Sequence, residues 1–207
     1  MGSDGISIKL SALFTRYEVL QRERVFATLV PRVQGLVDAA AAANMNLTID
    51  AEEVDRLELS LRCVRGPGPA HRRQAPAVAG KSFGLAVQAY QTRARAVIDA
   101  VADIARKYKL KFMVRLVKGA YWDGEIKRAQ ELGLGHYPVF THKAHTDVSY
   151  LACAQALLAY KEFIYPQFAS HNAGTIAAIL QMAKAAGAPS TRCSACTAWA
   201  RVSTARC

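Results

Sequence analysis

Two hydrophobic periods take turns along the chain. Residues 6–13 alternate in the way of a half-buried strand, 45–49 form a short β-rich run, and 83–91, 112–117 and 163–168 are apolar runs of strand length. Between them lie helical patterns. Val25, Leu29, Val33, Leu36, Val37 and Ala40 recur at three- and four-residue steps and draw one apolar stripe, with Pro31 expected to kink that helix or restart it. Acids in a first turn predict a helix ending at Leu61, and the stripe Val97, Val101, Ile104 predicts another over 93–108. Further helices are predicted over 124–132, 149–160 and 175–186. Strands near residues 7, 47, 84, 112 and 164 that alternate with helices imply parallel β-α units joined by right-handed crossovers. The run 112–117 is apolar at Phe112, Met113, Val114, Leu116 and Val117, as for a strand with helices on both faces of its sheet.

Two segments follow neither period: 62–81, rich in Pro, Gly and Arg, and 188–207. They change how the net charge of +11 is understood, because Arg62, Arg65, Arg72, Arg73, Lys81, Arg192, Arg201 and Arg206 lie in them without one acid. The remaining +3 outlines neither a basic helix face nor a groove, so nucleic-acid binding is not expected of this segment. Four of the five cysteines, Cys63, Cys193, Cys196 and Cys207, fall in the same segments. Cys193 and Cys196 have zinc or redox spacing but no second ligand pair nearby, and Cys153 is expected as an inert core thiol. No uninterrupted run of about 18 apolar residues predicts a membrane span, and 1–10 lack the features of a secretory signal. Cytoplasmic residence is the default expectation.

Chemistry concentrates where strands end. Arg115 and Lys118 interrupt the central apolar run, and a desolvated cation needs a partner, expected here to be a flat anionic ligand. Gly119 permits close backbone approach, Tyr121 and Trp122 follow, and Asp123 is placed to cap the next helix. Carboxyl ends of parallel strands are where α/β folds bind ligands. Lys9, the acids Asp50, Glu52 and Glu53, the group Gln88, Tyr90 and Gln91, and the trio Ser170, His171, Asn172 all stand at such ends. His142 and His145 could pair on a metal with Asp147, but a polar loop that covers the site is the favoured reading, and no metal is expected.

The stretch V-R-L-V-K-G-A-Y-W-D at 114–123, followed by E-I-K-R-A-Q, resembles the flavin-binding strand of the proline dehydrogenase domain of bifunctional proline utilisation A flavoenzymes. S-I-K-L-S-A-L, I-D-A-E-E, F-G-L-A-V-Q-A-Y-Q and Y-P-Q-F-A-S-H-N resemble its second, third, fourth and sixth barrel strands, with Ser170 in place of the usual threonine. The resemblance implies an α/β fold, a partial (β/α)8 TIM-type barrel with about strands two to six present in residues 1–187. It implies FAD-dependent oxidation of L-proline to pyrroline-5-carboxylate, the first step of proline catabolism to glutamate, with electrons passing to the quinone pool. Gln88 and Arg115 would hydrogen-bond the isoalloxazine, Val117 and Gly119 would offer backbone groups, Lys118 would neutralise phosphate and Trp122 would pack on the cofactor. Ser170, His171 and Asn172 would contact the ribityl and diphosphate, and Lys9, Asp50 and Tyr121 would line the proline pocket. An aldehyde dehydrogenase domain in the full-length protein and peripheral membrane association of the reduced form are further family expectations.

The family's arginine pair after strand eight has no counterpart, so weak activity or none is expected of this chain alone. Two other readings stand beside it: a non-catalytic truncated remnant, and a lyase with Lys118 as a Schiff-base lysine, which borohydride trapping of a carbonyl substrate would reveal. Residues 62–81 have the look of an insert and 188–207 of a disordered tail, and both are expected to lack a packed role. Two frameshifts are the expected explanation of both. Read with common GC-rich codons, a shift of two nucleotides turns Thr191 to Thr204 into E-V-Q-R-L-H-G-M-G-E-G-L-Y, similar to the family's seventh strand. Sequencing the coding DNA across both segments should show family-like residues in another frame; their absence from all frames ends the frameshift account.

Overall fold

The computed structural model describes residues 5–65, 83–187 and 192–194. Six parallel strands, β1 (Gly5–Ile8), β2 (Asn46–Ile49), β3 (Phe83–Gln88), β4 (Phe112–Val117), β5 (Ile164–Ala169) and β6 (Arg192–Ser194), lie side by side in chain order. Sequential order with right-handed crossovers puts every connection on the same face of the sheet, which is the winding of a (β/α) barrel rather than of a doubly wound sheet. The helices are α1 (Leu10–Leu13), α2 (Arg22–Ala42), α3 (Leu57–Arg65), α4 (Ala94–Tyr108), α5 (Trp122–Glu131), α6 (Lys143–Ala159) and α7 (Ala173–Ala185). The expectation of helices on both faces is thereby corrected: Met113 and Val117 face away from them.

Register shows the two faces directly. Ile8, Ile49, Leu85 and Val114 form one row across four strands; the last three belong to the main core with Leu47, Phe83, Val87, Phe112, Leu116, Ile164 and Phe168, and Ile8 packs against it partly buried. Against this face α4 buries Val97, Ile98, Val101, Ala102, Ile104 and Ala105. It closes on Lys109 in the left-handed region, φ 53°, with Arg106 and Lys107 in the last turn where the dipole favours cations. Helix α2 buries Val25, Leu29, Val30, Val33, Val37 and Ala40 and runs unbroken through Pro31. Pro31 and Ala27 are both exposed, so the carbonyl that proline leaves unbonded faces water. With the turn before it, Val19–Ala42 is long and apolar enough by length and composition to cross a membrane, although its buried stripe is spent on this core.

Several boundaries move. The strand expected over 6–13 is β1 alone: Lys9 starts α1 and the chain turns. The tail, expected without a packed role, contributes β6, paired to β5 through Gln167 with Arg192. Helix α3 runs to Arg65 because Cys63 continues the stripe of Leu59 one turn on, and both are buried, at 8% and 3% exposure. Cys63 therefore has a core role that its place in the odd segment did not predict. The rest of 62–81 and of 188–207 lies outside the described residues.

The second, inner face carries the row Ser7, Thr48, Gly84, Met113 and Tyr165. A Cβ added at Gly84 would stand far inside contact distance of the Met113 carbonyl and side chain. Gly84→Ala should therefore lower stability by about 1–3 kcal/mol, read as a reduced urea midpoint. An unchanged midpoint would show that β3 and β4 are not held this closely.

Candidate active site

Arg115 points from β4 onto the inner face, where its in-register neighbour on β3 is Ala86. Ala86 and Gly84 are small, so the guanidinium passes over β3. It donates to Ser7 Oγ of β1 at 2.9 Å and forms an ion pair with Asp50, the residue after β2. The half-buried cation thus has a protein partner, in correction of the expectation that a ligand would supply it. Arg115 and Asp50 stay 24% and 26% exposed at the side chain, within reach of a molecule on that face.

One row nearer the carboxyl end lies Gln88, 3% exposed. Its Nε2 donates to the Glu52 carbonyl at 2.9 Å, and its Oε1 accepts from the Ala120 amide at 3.1 Å. Both ends of the carboxamide are therefore engaged by backbone; Gln88 shares the inner face with Arg115 but acts as a strut between the loops after β2 and β4. The Val117 and Lys118 carbonyls accept from Ala89 and Tyr90, both at 2.8 Å. Gly119 follows at φ +145°, lying so flat on the Tyr90 ring that an added Cβ would enter it. Both the dihedral and the space require glycine there.

This tight exit delivers Tyr121 to Lys9, whose Nζ sits 5.8 Å from the ring centroid. The hydrogen bond to Tyr121 raises the Lys9 pKa above its ordinary value, with Glu52 and Asp50 adding to it. Tyr121, not Asp123, is the residue before α5; Asp123 lies inside the first turn and makes no cap. Beside Tyr121 opens a cleft of about 520 Å³ lined by Glu53, Ala120, Asp123, Glu125 and Arg128, among others. Trp122, 42% exposed, donates its Nε1 to the Phe140 carbonyl at 2.9 Å.

Lys118 pairs with Asp147 of α6. Beyond β5, buried Ser170 accepts from the Asn172 amide at 3.1 Å, and Asn172 Oδ1 caps α7 at the Thr175 amide, 3.0 Å away. His171 is exposed, and no contact ties it to Arg115 or Lys9. His142 and His145 are exposed too, their rings 5.3 Å apart. Sequence reasoning missed the jobs of two acids. Glu52 accepts from the Ser11 amide at 3.0 Å and from Arg56 at 3.0 Å, anchoring α1 next to Lys9. Buried Glu125 accepts from the Val54 amide at 2.7 Å. The acid run 50–53 was a signal for the first; nothing local marked the second.

A lysine–tyrosine pair and an arginine–aspartate pair at the carboxyl ends of a barrel-wound sheet bear directly on which proteins this chain is similar to. The profile of the family described as Proline dehydrogenase matches residues 1–198. The chain belongs to the proline dehydrogenase family. Its relatives include the bifunctional protein PutA of Klebsiella aerogenes and of Escherichia coli, each 52% identical over 180 residues, which is 86% of this chain and 13% of the relative. PutA of Rhizobium meliloti is 50% identical over 185 residues. A mutant form of Bradyrhizobium japonicum proline utilization A superposes with a TM-score of 0.80 at 55% identity, covering 87% of this chain and 18% of that one. PutA of Bdellovibrio bacteriovorus, solved after inactivation by N-propargylglycine, gives 0.78 at 30% identity. The chain therefore spans a small part of the relatives it matches.

In this proline dehydrogenase segment burial sets the electrostatics of Glu125. Desolvation raises its pKa, with Asp55 and Glu53 adding to the rise and the Val54 amide and Arg128 opposing it. A carboxyl raised on folding favours the folded state below its unfolded pKa of about 4.3 and loses that advantage as pH rises through the folded value. Glu125→Gln keeps an oxygen for the Val54 amide and removes the charge. The gap between urea midpoints at pH 4 and pH 7 should change accordingly, the variant gaining relative stability at pH 7. An identical gap in both proteins would remove Glu125 as its source.

Proposed function

We propose that this chain forms part of the flavin-binding centre of a proline dehydrogenase that oxidises L-proline to pyrroline-5-carboxylate with FAD. The observation that carries the reading is the joint placement of Arg115, Asp50, Lys9 and Tyr121 on one face and end of the sheet in a chain of this family. Bound there, FAD would supply the hydride-accepting chemistry at the proline ring carbon beside nitrogen, with the quinone pool as the proposed electron acceptor.

The residues present fit such a group in charge and donor chemistry. Arg115 spends one nitrogen on Ser7 and another on Asp50, and its other N–H groups remain to donate to an electron-rich ring. Lys118 suits a phosphate, and the amide start of α7 with Ser170, His171 and Asn172 suits the ribityl and diphosphate. Trp122 offers an exposed ring, and Val117 and Gly119 line the strand exit. Gln88 gives one N–H to the Glu52 carbonyl and one lone pair to the Ala120 amide, so its second N–H and second lone pair remain for the ring, on a carboxamide already held in place. On the substrate side Lys9 would meet the proline carboxylate, Tyr121 would cover the ring and Asp50 would bound the pocket. In the full-length protein an aldehyde dehydrogenase domain is proposed to follow. Six strands enclose the site on one side, so slow turnover is proposed for the chain by itself.

The purified chain should take up FAD, become yellow and bleach on anaerobic addition of proline. Losing a charged contact of the Lys9 kind costs about 1.5–3 kcal/mol, so Lys9→Met should raise the proline concentration for half-bleaching by roughly ten- to a hundredfold. An unshifted half-point would take Lys9 out of the pocket; a chain that takes up no FAD would overturn the reading.

A further inference from the structure

Two lysines from different elements share one carboxylate. Asp147 binds the Lys118 ammonium with Oδ1 and the Lys143 ammonium with Oδ2, the latter at 2.9 Å. Lys118 leaves the carboxyl end of β4, whereas Lys143 and Asp147 stand one turn apart at the start of α6. The Lys118 side chain is 27% exposed and that of Lys143 77%, so the shared carboxylate holds one half-buried arm and one exposed arm. Both lysines hold the Asp147 carboxyl below the usual carboxylate range, which keeps it ionised at neutral pH.

We propose that Asp147 is a positioning residue: it fixes the Lys118 ammonium at the strand exit so that Lys118 meets a phosphate of the bound cofactor. The inference rests on the FAD reading above. An ammonium has three donors, and Asp147 takes one from Lys118, leaving two for an incoming anion. The triad of Lys118, Lys143 and Asp147 keeps a net charge of +1, so an anion is still attracted. A flexible four-carbon arm loses rotamer freedom whenever it grips a ligand, and restraint before binding removes part of that loss. Asp147 touches neither the Arg115 group nor the Lys9–Tyr121 pair, so its effect should be confined to the phosphate end of the ligand.

Binding of FAD, and of riboflavin, which has no phosphate, is measured by flavin fluorescence at low salt for the unaltered chain, Asp147→Asn, Asp147→Glu, Lys118→Met and the double variant. Far-ultraviolet circular dichroism confirms folding of each. Asp147→Asn should weaken FAD about fivefold, the upper range for a partly exposed ion pair, and leave riboflavin unchanged. It should have no further effect in the Lys118→Met background, and Asp147→Glu should restore most of the loss. Equal losses for the two ligands, an undiminished effect without Lys118, or tighter FAD in Asp147→Asn would each overturn the proposal. If riboflavin binds and FAD does not, the cofactor reading falls first and the proposal with it; if neither binds the unaltered chain, both fall together.

Discussion

A guanidinium on the inner face of β4 must find its counter-charge two strands away. That constraint reaches through most of the site. Arg115 meets Asp50 and Ser7 only because β3 presents Gly84 and Ala86 beneath its path. A bulky side chain at either place would lift the guanidinium off the sheet and leave a half-buried cation without its acid, a cost of several kcal/mol. The same closeness that Gly84 permits brings β3 and β4 together over five register pairs. Arg115 therefore links the packing of four strands to the electrostatics of one surface.

Winding decides where that surface lies. Sequential parallel strands put helices on the outside, so every inner-face residue faces its counterparts across a shared interior. Side chains at strand ends are then aimed by short, rigid exits rather than by long loops. Gly119 on the Tyr90 ring, Gln88 between the Glu52 carbonyl and the Ala120 amide, and Glu52 on the Ser11 amide are three such braces. Each has one end next to a residue proposed to touch ligand: Gly119 beside Lys118, Ala120 beside Tyr121, Ser11 two residues from Lys9. Stability and function are coupled here through backbone position, not through shared side chains.

What could be seen in the sequence followed from local period. The apolar run of β4 and the stripe of α4 are strong because one face of each is buried without interruption. The sidedness of β4 was misjudged because a barrel interior also buries apolar residues, so Met113 and Val117 imitate a helix-covered face. The end of β1 was misjudged because Lys9, extended at φ −99° and ψ 132°, continues the alternation while Leu10 already begins a helical turn. The site residues were visible as types at strand ends, but their partners were not. Arg115 and Asp50 lie 65 residues apart and Lys118 and Asp147 lie 29 apart, and no periodicity links such positions. The same holds for Gln88: its type suits a ligand, and only the fold shows that it also ties the Glu52 carbonyl to the Ala120 amide.

Pairing each cation with an acid also shapes what the site can bind. Left unpaired, a cation on the inner face and another at the strand exit would attract any anion and repel each other, destabilising the sheet that carries them. With Asp50 on Arg115 and Asp147 on Lys118, the net field is modest while the remaining N–H donors keep fixed directions. For the proposed cofactor, discrimination would then come from geometry: the ligand would present acceptors to a guanidinium on the inner face and to an ammonium at the strand exit at the same time. A small inorganic anion can satisfy one of these. The FAD proposed for this site, flat at one end and anionic at the other, would satisfy both.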